Sequence, residues 1–201
     1  MVFTMRCCGK FFRSLLLGAA TLLFSLAVLA AGVEIRTPLL ALGEDGYELT
    51  ADFTVDFNPR LEEAVAKGVI LYFVTDFELA RPRWYWLDEK IASRTQTFRL
   101  SYHALTRQYR LSTGALHQGF ESLDEALRML SRLRNWSVLD KTAVKAEDTY
   151  LASLRFRLDL SQMPKTFQVT ALANRDWNLA SEWARWSFAP LDGKPGSADS
   201  K

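Results

Sequence analysis

Carboxylates are the residues best placed to do chemistry in this sequence. Asp76 and Glu78 stand at i and i+2 in "VTDFEL", and Asp88 and Glu89 follow "RPRWYW". Acids beside Trp84 and Trp86 suit a glycan-cleaving cleft, where one carboxyl protonates the leaving oxygen and another attacks or activates water. The same spacing is what a solvated strand face shows, with Arg81 and Arg83 near enough to neutralise it. Other reaction classes find less. His103 lies on the polar face of a strand near its turn, and His117 lies in the loop "GALHQGF". Two histidines on separate segments, with both cysteines at positions 7 and 8, do not supply the three or four ligands of a zinc site. Neither imidazole has a Ser or Asp partner suggested by its context, and no Gly-x-Ser-x-Gly elbow or glycine-rich phosphate loop occurs. The sequence therefore assigns no catalytic residue, no metal and no cofactor.

Binding chemistry is better represented. In "ELARPRWYWLDEK" the residues Arg81, Arg83, Trp84, Tyr85, Trp86 and Asp88 surround Pro82, which interrupts regular sheet pairing. Alternation places Trp84 and Trp86 on one side and Tyr85 on the other. Stacking of Arg81 or Arg83 on an indole would contribute about 0.5–1 kcal/mol per exposed contact. One account is a packed corner, with aromatics closing the end of the fold and arginines over them, paired with Asp88 or Glu89. The other is an interaction patch, because Trp, Tyr and Arg are the types enriched at binding hot spots. A second cluster in "NRDWNLASEWARWSF" repeats the pattern with Trp177, Trp183, Arg185 and Trp186.

The elements that must position these residues are mostly strands. Leu49, Ala51, Phe53, Val55 and Phe57 alternate with polar residues, and "GEDG" before them makes residues 33–57 a hairpin. Phe98, Leu100 and Tyr102 run up and Tyr109 and Leu111 return, with Arg99, Ser101, Arg110 and Ser112 facing out. Leu154, Phe156, Leu158 and Leu160 repeat the alternation, whereas Val69–Val74 is apolar on both faces, as in a central strand. Two helices interrupt. One has Asn58 as cap, Pro59 at its first position and Gly68 beyond its end. The other opens with the capping box Ser122/Glu125, carries the stripe Leu123, Ala126, Leu127, Leu130, Leu133, and has Arg128, Arg132 and Arg134 elsewhere on it. About seven strands and two helices predict a mainly β fold, an immunoglobulin-like β-sandwich, with an α+β roll or barrel as the alternative.

The N-terminus predicts export. Arg6, Lys10 and Arg13 precede the uncharged stretch from Ser14 to Ala31, and Val28 and Ala30 suit the −3 and −1 positions of a signal peptidase site. Residues 1–31 are read as a signal peptide or an N-terminal membrane anchor, 32–190 as one β-rich domain, and 191–201 as a disordered tail. Localisation is then periplasmic, or anchored in the inner membrane facing the periplasm, with membrane contact only through residues 14–31 if they are retained. Both cysteines precede the apolar run, so the domain has neither thiol nor disulfide. Whole, the chain has 25 Lys+Arg against 23 Asp+Glu, and loss of Arg6, Lys10 and Arg13 leaves 22 against 23. Near-neutrality excludes a bulk attraction to nucleic acid; polyanion binding would need a local patch.

The blocks "LYFVTDFELARPRWYWLDE", "RLSYHALTRQYRLSTGALHQGFESLDEAL" and "MPKTFQVTALANRDWNLASEW" resemble a proteobacterial family of exported proteins known only as a domain of unknown function. The resemblance runs from about Val33 to Trp186 and carries no assigned catalytic residue. It implies genes that neighbour one for a membrane-bound sensor kinase of the nitrogen-regulatory type. Taken together, these readings give a non-enzymatic envelope protein that binds a partner, either a membrane-bound sensor kinase or another envelope protein. The alternative is an envelope glycan hydrolase using the carboxylates near the Arg/Trp motif.

Overall fold

In the computed structural model, described for residues 32–85, 87–190 and 196–197, the chain forms two antiparallel sheets packed face to face. The first hairpin is the expected one. Strand β1 (Val33–Leu42) pairs with β2 (Gly46–Val55) from Val33↔Val55 to Leu42↔Tyr47. The turn closes with Gly43 N–H donating to Gly46 O at 2.7 Å. Gly46 is required by packing as well, since a Cβ there would meet the Leu139 carbonyl oxygen. A bulge between Arg36 and Leu39, with Thr37 at φ 44, keeps Leu40 and Leu49 in the core.

Helix α1 (Pro59–Ala66) follows, and Asn58 Oδ1 accepts from the N–H groups of Arg60 and Leu61, both at 3.1 Å. Gly68, at φ 85, ends it. Then β3 (Leu71–Arg81), β4 (Glu89–His103), β5 (Gln108–Thr113) and β6 (Leu116–Phe120) form a meander. Helix α2 (Leu123–Leu130) is capped by Ser122 Oγ, which accepts from Glu125 N–H at 3.2 Å. It ends at Ser131, and β7 (Arg132–Asp140) begins at once. Leu133, Arg132 and Arg134 therefore belong to a strand and not to the helix. After β8 (Tyr150–Leu158) come α3 (Lys165–Ala173), β9 (Ala184–Phe188) and the two-residue β10 (Gly196–Ser197) on the edge of β1. Residues 1–31, read from sequence as a signal peptide or anchor, Trp86, and residues 191–195 and 198–201 lie outside the described residues.

The sheets run β10-β1-β2-β7 and β6-β5-β4-β3-β8-β9, ten strands among the described residues where about seven were expected. They form an open sandwich and not a closed barrel. Strand β3 is central, as its doubly apolar start predicts, lying between β4 and β8. Inward residues make the core: Phe53 stacks on Phe156 at 4.7 Å between centroids, and Phe156 on Phe73 at 5.7 Å. At the other end Tyr47 meets Phe188 edge-on at 5.3 Å. These contacts fix which ends coincide. Val33, Val55 and Leu71 share one end of the sandwich, and the turn at 43–46, Tyr150 and Arg81 share the other.

Candidate functional site

The two tryptophan segments have opposite fates. Strands β3 and β4 pair to Arg81↔Glu89, so the residues between them form the tip of a hairpin. Pro82 has no N–H for a ladder, and regular pairing stops there. Trp84 is 95 % exposed, Tyr85 65 % and Leu87 81 %, with Trp84 and Tyr85 edge-to-face at 5.1 Å. The tip is not a packed corner, because nothing among the described residues folds back over the indole of Trp84.

Its base is held by charge. Arg81 donates through Nε to Glu89 Oε2 at 3.0 Å and through Nη1 to Asp148 Oδ2 at 2.9 Å, and its Nη2 also engages Glu89. Arg83 reaches the same Glu89 oxygen at 2.6 Å. Asp148 also accepts a 3.4 Å hydrogen bond from Tyr150, whose ring is in the core. Hydrogen bonds from Arg81, then Arg83, hold the Glu89 carboxyl below the usual carboxylate range, and those that Arg81 donates to Glu89 and Asp148 hold it more firmly protonated. The arginines clamp the two strands instead of covering the aromatics. Glu89 is their partner; Asp88 is exposed and has no side-chain partner among the described residues.

The second segment belongs mostly to the core. Trp177 and Trp186 are buried, and Phe167 lies against Trp177 at 6.3 Å. In β9 the pleat turns Arg185 out and Trp186 in. Arg185 therefore does not lie between indoles. The guanidinium over an indole is that of Arg155, 5.9 Å from the Trp183 ring, a cation the sequence pattern did not single out. Strand register alone brings it there, since Ser153↔Arg185 and Leu154↔Ala184 join β8 to β9.

Carboxylates in the sheet are ion-paired. Asp76 accepts from Arg157 Nε at 3.0 Å and from Thr95 at 3.0 Å, and Glu78 pairs with Lys90 at 2.7 Å. The histidines, in contrast, are closer to each other than sequence suggests. His117 lies on strand β6, not in a loop, and with His103 it lines a single pocket of about 320 Å³. Its Nδ1 is 2.7 Å from Oγ of Ser112, which is buried and not outward in solvent. No carboxylate completes a triad there, and no group of three or more His, Cys, Asp or Glu suited to a metal occurs among the described residues.

Fold and site together define a two-sheet β-sandwich bearing a clamped, aromatic hairpin tip. The chain belongs to the family described as a domain of unknown function, DUF4390, which matches residues 30–187. No curated protein and no solved structure matches it. No helix among the described residues is long and apolar enough to cross a membrane.

Proposed function

We propose that this chain is a non-enzymatic interaction module of the cell envelope whose docking element is the β3–β4 hairpin tip. Its partner is a membrane-bound sensor kinase or another envelope protein. The observation that carries this is Trp84, fully solvated on a hairpin whose base is fixed by the Arg81–Glu89–Arg83 and Arg81–Asp148 pairs. A rigid aromatic loses little conformational freedom on binding, which is the property of a hot-spot anchor.

Charge favours a protein partner over an anionic lipid surface, because Arg81 and Arg83 at the tip's base are already paired with Glu89 and Asp148. The tip stands at the end of the sandwich opposite Val33, where the described chain begins. Against glycan hydrolysis stand the ion pairs of Asp76 and Glu78, which neutralise the carboxylates an acid/base mechanism would use.

A photoreactive residue at Tyr85, with a control at Asp52, tests the reading in cells. The expected result is a single adduct from position 85, identified as one envelope protein and reproduced with the purified pair. Trp84→Ala with Leu87→Ala should abolish it. Lipid adducts alone, or the same products from both positions, would overturn the assignment.

A further inference from the structure

The outer face of β4, β5 and β6 gathers cations and hydrogen-bond donors without an acid. Register pairs Arg99↔Ser112, His103↔Gln108, Arg110↔Gly119 and Ser112↔His117 set these residues side by side, opposite the core residues Phe98, Leu100 and Leu111. His103, Thr106, Gln108, Arg110, His117 and Gln118 line the 320 Å³ pocket, and Gly119, across from Arg110, contributes no side chain to fill it. Arg99, Arg107 and Arg110 have no ion-pair partner among the described residues, whereas Arg81, Arg83, Arg134 and Arg157 all do.

Two hydroxyls orient the imidazoles. His103 Nδ1 lies 3.1 Å from Thr106 Oγ1, and His117 Nδ1 lies 2.7 Å from Ser112 Oγ. Nε2 of each ring is then the nitrogen left for a ligand. We propose that this pocket binds a phosphate-class oxyanion. Arg110 supplies a permanent charge and a donor fork, and the imidazoles and the Gln and Thr groups supply further donors. These donors outnumber the two oxygens of a carboxylate and suit a tetrahedral anion. A divalent cation fits poorly, because no third ligand joins the two imidazoles and Arg110 would repel it. The near-neutral chain thus carries a local patch that its net charge conceals.

Free phosphate and a phospholipid headgroup offer the same chemistry. The β4–β5 turn lies at the Leu71–Leu100 end, the end where the chain enters at Val33, and Leu105 in that turn is 92 % exposed. The chain has only two histidines, so their imidazole resonances report the pocket directly. We would titrate the full chain in non-ionic detergent with inorganic phosphate, then with short-chain phosphatidate against phosphatidylcholine.

Both resonances should shift saturably with phosphate and not with matched sodium chloride. Arg110→Gln should weaken binding tenfold or more with an unchanged amide spectrum, and Arg185→Gln should leave it intact. If Arg110→Gln fails to fold, Arg110→Lys, which keeps the charge and removes the donor fork, should still weaken binding measurably. Tighter binding of phosphatidate identifies the headgroup as the source, and equal or weaker binding identifies free phosphate. No saturable shift, equal loss in Arg185→Gln, or a response to zinc but not to phosphate would overturn the site.

Discussion

Residues 81–86 and 177–186 share a vocabulary of arginine beside tryptophan, yet Trp84 is 95 % exposed and Trp186 is 4 % exposed. The difference lies in where each falls on the backbone. Trp186 sits within β9, in register with Ala152 of β8, so the pleat directs it into the sandwich. Trp84 follows Pro82 into the link between β3 and β4, beyond the last pair Arg81↔Glu89, where no opposing sheet can cover it. Composition announces that aromatics and cations are together; register decides whether they form core or surface.

Truncation at the buried member should give the largest effect. Trp186→Ala removes a core indole, and we expect a loss of about 3–5 kcal/mol in denaturant unfolding. Its Nε1–H has no acceptor among the described residues, so Trp186→Phe removes a buried donor along with the volume. That variant should lose roughly half as much or less. Equal losses would mean that the N–H is satisfied by a partner. Weaker is the Arg155 stack on Trp183: Arg155→Gln should cost about 0.5–1 kcal/mol, measured in the same way.

The hairpin clamp responds to acid. Because Glu89 is held below its ordinary pKa in the folded chain, its contribution is complete above the unfolded carboxylate value of about 4.3. It is lost as pH falls through the lower, folded value. The Arg81 Nε–H resonance, protected near neutrality by its 3.0 Å bond to Glu89, should broaden only as pH falls below the ordinary carboxylate range. In Glu89→Gln that acid step should vanish. Persistence of the step would mean that Glu89 is not the group that titrates.

Much of this fold was legible because local rules and tertiary packing agree. Asn58, Pro59 and Gly68 punctuate α1 where they should, and alternation in "LRFRL" marks β8. Strand β7 was hidden because Leu130 and Leu133 keep a helical spacing across Ser131, and because a register shift between Leu49 and Ala51, opposite Asn135 at φ 47, breaks the period of two. Strand β6 has an exposed, polar, glycine-containing sequence whose pairing with β5 is a tertiary fact. Helix α3 carries Thr166, Val169 and Thr170, all β-branched, and its Pro164 cap makes no side-chain hydrogen bond. Of the candidate site, spacing offered Asp88 or Glu89 as the arginines' partner, and the register pair Arg81↔Glu89 selects Glu89. Asp148 came from 67 residues away along the chain, and no local pattern points to it.

The smallest expected effect tests the comparison most sharply. An indole 95 % exposed has almost no transfer or cavity term to lose, so Trp84→Ala should change unfolding free energy by no more than about 0.5 kcal/mol. The same substitution should abolish the Tyr85 crosslink, because the indole's contacts are made with the partner and not with this chain. A variant that keeps its stability and loses its adduct separates the tip from the buried Trp186 by function as well as by exposure. If Trp84→Ala instead cost 2 kcal/mol or more, the tip would be packed against protein in solution and the two segments would differ in position only.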